Sequence, residues 1–101
     1  MAVFTVTLDQ QGLHDLALEV NRIFQEQLAK VGGKYYGEAR IYDLKSVGVQ
    51  GDERTYLYVA EINLKRPHHG EIVEINEFVR TLSERITSEV RYVNRVMYVL
   101  Q

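Results

Sequence analysis

The period of apolar and polar positions changes several times along the chain, and each period predicts one element. The segment from Val3 to Leu8 alternates and is rich in β-branched residues, which predicts a strand. Apolar residues between Leu13 and Val31 then recur every three or four positions, which predicts an amphipathic helix. Gly32 and Gly33 follow and are typical of a helix end.

The second half of the chain repeats this layout. Two long strands are predicted from Glu38 to Val49 and from Arg54 to Leu64, joined by a short polar hairpin. A second helix is predicted from about Glu71 to Ser88, or a shorter one capped by Asn76, and a last strand from about Val90 to Leu100. The order βαββαβ predicts an α+β fold in which two βαβ halves form one four-stranded sheet, with both helices on one face.

The predicted strands carry apolar residues on both faces. In the last strand Val93, Met97 and Val99 oppose a second apolar series, and Leu57 and Val59 do the same in the third strand. A sheet with helices on one face only is expected to be polar on the other. We therefore expect a second copy of the chain to cover that face, which makes the protein a homo-oligomer. An uncovered sheet with some large apolar residues is the alternative.

Length, charge and composition narrow the choice of function. A chain of 101 residues fits one domain, 1–101. Its formal net charge is −2, and without a basic run it is not expected to bind nucleic acid. No apolar run reaches the roughly 18 residues of a membrane helix, so no membrane partner is predicted. The absence of cysteine excludes disulfides and thiolate metal sites and agrees with a cytoplasmic location.

Metal and cofactor chemistry has weak support in the sequence. His68 and His69 precede Glu71 and Glu74, but adjacent loop histidines point apart and the spacing matches no closed metal site. A solvated loop with acids near a helix start is favoured over a metal site. The glycines fit turns and caps and form no phosphate-binding loop, so no metal and no cofactor are predicted.

The chain resembles the tautomerase superfamily, in particular the macrophage migration inhibitory factor and hydroxymuconate isomerase families. The resemblance rests on the N-terminal strand MAVFTVTL, the helix end LAKVGGK, the long hairpin, the helix VRTLSERI and the last strand with RYVN. It implies a homotrimer whose sheets line a central barrel with the helices outside. It also implies an isomerase that moves a proton within a keto–enol pair.

The resemblance implies a small inter-subunit pocket made of four residues. The family's base is an N-terminal proline, but this chain has Ala2, whose primary amine would act as base or imine-forming nucleophile once Met1 is removed. Lys34 would hold the anionic group of a small carbonyl acid, and Tyr92 and Asn94 would position its carbonyl. Lys34, Tyr92 and Asn94 each have a purely structural interpretation as well. Lys34 would be a charge at a helix end, Tyr92 interface packing, and Asn94 a partner for a backbone group.

Two hypotheses follow, because the proline is replaced. In the first, the chain is a tautomerase-like homo-oligomer that binds a small carbonyl acid, and its activity depends on the Ala2 amine. In the second, it is a non-catalytic ferredoxin-like module that binds or assembles through its open sheet face. The N-terminus discriminates between them, since a pocket enzyme needs a processed terminus whereas a scaffold tolerates a tag before Met1.

Overall fold

A computed structural model describes residues 2–32, 35–50, 53–65 and 72–100 of the chain. These residues have the order βαββαβ, so the α+β class predicted from the sequence is confirmed. The elements are β1 (Ala2–Thr5), α1 (Gln10–Lys30), β2 (Tyr36–Gln50), β3 (Glu53–Lys65), α2 (Ile72–Glu89) and β4 (Val93–Leu100).

Helix α1 starts at a capping residue and buries a single stripe. The Asp9 carboxylate accepts a hydrogen bond of 2.8 Å from the Gly12 amide, one of the N–H groups that a helix start leaves unpaired. The buried residues follow the three- and four-residue spacing: Leu16, Val20, Ile23, Phe24, Gln27 and Leu28. After Lys30 the chain turns through Gly32, whose φ of +59° is the left-handed conformation that glycine adopts readily.

The four strands form a sheet that is three strands wide, with β3 in the centre. Strand β2 pairs with β3 antiparallel along one edge. On the other edge, β1 pairs in parallel with the segment from Glu53 to Tyr56, and β4 pairs in parallel with the segment from Tyr58 to Leu64. Strands β1 and β4 therefore lie end to end along one side of β3.

This topology corrects the prediction of a sheet made from two equivalent halves. Strand β4 pairs with β3, the other strand of its half, but β1 pairs with β3 and not with β2, the other strand of its own half, in the described residues. The long β2–β3 hairpin occupies one whole edge of β3, so the four-residue β1 takes the stretch of the opposite edge that β4 leaves free. A four-stranded tautomerase sheet is not formed by the described strands, and this pairing does not support the ferredoxin-like alternative either.

The hydrophobic core lies between the two helices and one face of the sheet. Alternate residues of β3 point toward the helices, and all of them are almost completely buried: Tyr58, Ala60, Ile62 and Leu64. They pack against the α1 stripe and against Phe78, Leu82 and Ile86 of α2. Both helices therefore cover the same face, as predicted, and removal of this apolar surface from water stabilises the fold.

Polar side chains fix the helices to each other and to the sheet. Arg85 of α2 donates hydrogen bonds of 3.1 Å to both Glu26 and Gln27 of α1. The Tyr98 hydroxyl of β4 donates to the Val79 carbonyl at 3.0 Å, and burial raises the pKa of Tyr98 to about 12. The phenol therefore keeps its donor proton. Neither helix, over the residues described, is long and apolar enough to cross a membrane.

The end of β1 and the start of β4 differ from the predicted boundaries. Strand β1 ends at Thr5, and the Leu8 amide leaves the ladder to donate to the Tyr58 hydroxyl at 2.9 Å. Strand β4 starts at Val93, because the Val90 amide still donates to the Ile86 carbonyl and continues the helical pattern. Helix α2 starts at Ile72, which favours the longer of the two predicted helices.

Candidate functional site

The sheet face that the helices leave uncovered, here called the open face, carries a network of hydrogen-bonded polar side chains. It is formed by the other alternate residues of β3 and their neighbours on β2 and β4. Leu57 and Val59 lie on this face, yet they are only 2% and 5% exposed within a single chain. These two apolar residues therefore do not by themselves require a second copy of the chain to cover them. This corrects one of the reasons for expecting a homo-oligomer.

Two side chains of β4 reach across this part of the open face to β2. The Asn94 amide donates to the Ser46 carbonyl at 2.8 Å, and Arg95 Nε donates to the Ser46 hydroxyl at 2.8 Å. Because β3 separates β4 from β2, both side chains pass over β3 to reach their partners. A register shift between Tyr58 and Val59 accompanies this crossing. It also places Val93 in the helix-facing core, although simple alternation grouped Val93 on one face with Met97 and Val99.

A buried carboxylate organises the centre of the open face. Glu61 of β3 is 4% exposed. It accepts hydrogen bonds from Arg40 Nε at 2.6 Å, from the Tyr42 hydroxyl at 2.5 Å and from the Asn63 amide at 3.2 Å. A carboxylate held by three donors is ordered, and it orders its donors in return.

The hydrogen bonds of this network shift the pKa values of its members. The Tyr42 hydroxyl and the Arg40 guanidinium hold the pKa of Glu61 below its usual range, since both donate to the charged form. The same carboxylate raises the pKa of Tyr42 and of Arg40. Glu61 is thus an anion and Arg40 a cation throughout the neutral range.

A groove opens beside this network, at the end of the sheet where β2 begins and β3 ends. It has a volume of about 470 Å³ and is lined by Tyr36, Gly37, Glu38, Arg40, Asn63 and Lys65. We call it the Arg40 groove. Gly37 forms part of its floor with a φ of +152°. A Cβ atom at this position would lie 1.8 Å from the Asn63 carbonyl oxygen, so the close approach of β2 to β3 here requires glycine.

The structure places the four residues predicted from the resemblance at different distances from this groove. Ala2 pairs with Glu53 at the start of β1, and Lys34 lies outside the described residues. Tyr92 is half-buried, with the Arg91 guanidinium 5.6 Å from its ring. Asn94 bonds to Ser46, at the far end of the open face. Their role in ligand binding stays a prediction. The pair His68–His69 also lies outside the described residues.

Sequence reasoning missed the Arg40–Glu61 network, although one signal was present. Glu61 is a single carboxylate within the apolar run from Leu57 to Leu64. A charge in a central strand requires a partner, because an unpaired buried charge is strongly destabilising. Arg40 and Tyr42 are two positions apart on the neighbouring strand β2, and Arg40 lies directly opposite Glu61. Their contact with Glu61 depends on the register of the hairpin, which the sequence did not define.

Comparison with known proteins identifies the family. A family model of the GMP synthase C-terminal domain matches residues 22–101. The chain belongs to this family. The tautomerase resemblance and the isomerase activity that it implied are therefore wrong. Strand and helix periodicity, a helix ending in glycines and a long hairpin occur in many α+β domains, so they defined an element order but not a family.

Several curated proteins are similar to the chain. The glutamine-hydrolysing GMP synthase of Symbiobacterium thermophilum is 32% identical over 93 residues, covering 83% of this chain and 18% of that protein. One subunit of the glutamine-hydrolysing GMP synthase of Methanopyrus kandleri is 30% identical over 94 residues, covering 83% of this chain and 30% of that subunit. The Borrelia garinii subsp. bavariensis enzyme is 46% identical over 59 residues, covering 54% of this chain and 11% of that enzyme. The chain thus spans between 11% and 30% of the length of these relatives.

Acid should remove the contribution of Glu61 to stability. Its pKa is lowered in the folded state, so the contribution is complete above the ordinary value of 4.5 and is lost as pH falls through the folded value. We expect Glu61→Gln to melt at lower temperature than wild type at about pH 7, and the difference to disappear toward about pH 2. Thermal unfolding followed by circular dichroism measures this. Glu38→Gln, at an exposed acid of the same face, is the control. A difference that is constant with pH would contradict the assignment.

Proposed function

We propose that this chain is the C-terminal-domain part of a GMP-forming enzyme and that its role there is assembly. The observation that carries the link to GMP formation is the family match over residues 22–101. The assembly role is proposed from the open face of the sheet. The relatives that share this segment are called glutamine-hydrolysing GMP synthases, and the segment is a minor part of each of them. The activity belongs to those proteins as wholes, so we assign this chain a contribution to it and not the full reaction.

We further propose that the assembly partner is a second copy of the chain, which contacts the open face. The molecule measures 45 × 29 × 20 Å, a two-layer plate whose broad faces are large enough for a stable contact. Met97 stands on the open face directly beside Glu61 in the ladder and is 44% exposed. Arg95 is exposed on the same face, so a second copy that covers Met97 would contact an apolar and a charged side chain together.

A chimera tests both parts of this proposal. The matching segment of the Symbiobacterium thermophilum enzyme is replaced by this chain, and GMP formation and sedimentation mass are measured. We expect the chimera to form GMP and to self-associate. Met97→Gln should weaken self-association by about tenfold, since it removes an exposed apolar anchor from the contact.

The control for the chimera is Leu18→Gln. Leu18 is equally apolar and 57% exposed, but it lies on α1 in the other layer of the plate. This variant should leave mass and GMP formation unchanged. A folded chimera without GMP formation would overturn the enzymatic part of the proposal. Equal masses for the two variants, or a monomer throughout, would overturn the part that concerns the open face.

A further inference from the structure

Arg40 is held in a geometry suited to an anionic ligand. Its Nε is fixed by the Glu61 carboxylate at 2.6 Å, while its side chain as a whole remains 66% exposed. Nη1 and Nη2 make no hydrogen bond to any other described residue. Glu61 itself is fixed by Tyr42 and Asn63. The guanidinium therefore presents two oriented donors to solvent from a rigid base, the arrangement that recognises a planar oxyanion.

The residues around Arg40 define the charge of the ligand. The Arg40 groove is lined by two cations, Arg40 and Lys65, and by one carboxylate, Glu38. With the buried Glu61 behind Arg40, the local charges balance. Such a groove attracts a single negative charge at its Arg40 end and opposes a polyanion, because Glu38 repels a second one.

We propose that the Arg40 groove binds a small organic carboxylate, with the Arg40 guanidinium as its anchor. Lys65 adds a second positive charge, and the Asn63 amide gives a polar wall. Tyr36, which is exposed at the opposite end of the groove, offers a flat aromatic surface for the body of the ligand. Arg40 lies four residue steps along the strand from Tyr36, about 13 Å, so a ligand with one ring spans part of this length.

Glu61 acts as the positioning residue of this site. It faces Arg40 from the neighbouring strand, and the register pairs the two residues directly. If charge alone attracted the ligand, removing the Glu61 carboxylate would strengthen binding, because the groove would become more positive. If orientation of Arg40 matters, removing it weakens binding. The two explanations therefore predict changes of opposite sign.

Titration of the ¹⁵N-labelled chain with benzoate, followed by amide chemical shifts, tests the proposal. We expect saturable shifts confined to residues 36–40 and 61–65, complete below about 50 mM benzoate, as for a weak site. Uncharged benzamide should give none, and phenyl phosphate should bind more weakly than benzoate because of its second charge. Arg40→Gln and Arg40→Lys should each weaken benzoate binding by about tenfold or more, since lysine keeps the charge but not the fork.

A charge removed from another surface serves as the control for the Arg40 variants. Arg80→Gln removes the same charge from an exposed position on α2 and should leave benzoate binding unchanged. Equal losses in Arg40→Gln and Arg80→Gln, or no saturable shift in wild type, would overturn the site. Tighter benzoate binding by Glu61→Gln would overturn the positioning role, and Arg40→Lys tests the fork separately should Glu61→Gln fail to fold.

Self-association is separated from ligand binding by repeating the titration in Met97→Gln. Met97 lies outside the lining of the groove. Unchanged benzoate binding in this variant is expected and leaves the site independent of the proposed assembly. Binding that appears only in Met97→Gln would mean that a second copy covers the groove in the assembled protein, and the ligand site would then be rejected for that form.

Discussion

Gly37→Ala is expected to lower the free energy of unfolding by about 3 kcal/mol or more, since backbone strain and overpacking act at the same position. The new Cβ would lie 1.8 Å from the Asn63 carbonyl oxygen and 2.9 Å from the carbonyl carbon of the same residue. Backbone atoms in a ladder cannot move aside as a flexible side chain can. The substitution also places a Cβ at a φ of +152°, which side-chain-bearing residues rarely adopt. Urea unfolding followed by circular dichroism measures the loss.

Gly32→Ala is the matched control for this prediction. Gly32 also has a positive φ, +59°, but a Cβ there has no atom of the described part of the chain within 4 Å. The expected cost is about 1–2 kcal/mol, that of the left-handed conformation alone. The difference between the variants contains the contact with Asn63 and the additional cost of the rarer φ at position 37. Equal costs would mean that conformation, not the close approach of β2 to β3, makes glycine necessary at position 37.

The element order of the fold was predictable because each period of apolar residues reports a local property. The stripe from Leu16 to Leu28 gives α1, and the glycines after it give its end. The pairing of β1 was not predictable in this way. Val3 to Thr5 is equally suited to an edge beside β2 or beside β3, and the choice depends on how much of β3 the hairpin and β4 occupy.

Alternation along a strand predicts which side chains share a face only where the strand is regular. Simple alternation places Val93 with Met97 on one face, but the register shift beside Asn94 reverses the parity, and Val93 enters the core while Met97 stays outside. A single extra residue moves every side chain before it to the other face. The sequence contains no glycine or proline between Arg91 and Gln101 that would have indicated the shift.

The candidate site was less predictable than the fold because it depends on pairings between strands. Arg40 and Glu61 are 21 positions apart and meet only in the observed register of the hairpin. Asn94 was singled out from the sequence, and one of its structural interpretations, a bond to a backbone group, matches its contact with Ser46. Family membership came from the match over residues 22–101, which no local period could supply.

The helices depend on the sheet through a few large side chains, and Phe24 is the clearest case. It is completely buried in the stripe of α1, within the cluster that includes Ile62 of β3 and Leu82 of α2. Cutting Phe24 to alanine removes most of its apolar surface from the core and leaves a cavity that two helices and a sheet cannot close together. The loss therefore contains both a transfer contribution and a cavity contribution.

We expect Phe24→Ala to lower the free energy of unfolding by about 3–5 kcal/mol. Leu18→Ala, on the exposed side of the same helix, should change it by about 0.5 kcal/mol or less, because helix propensity improves slightly and little burial is lost. Urea unfolding of both variants measures the contrast, and hydrogen exchange should show faster opening of α1 in Phe24→Ala than in wild type. Since the native state of such a domain is more stable than the unfolded state by only about 5–15 kcal/mol, a loss of this size brings it close to unfolding. A small loss in Phe24→Ala, equal to that of Leu18→Ala, would mean that α1 does not pack on β3 as the buried stripe indicates.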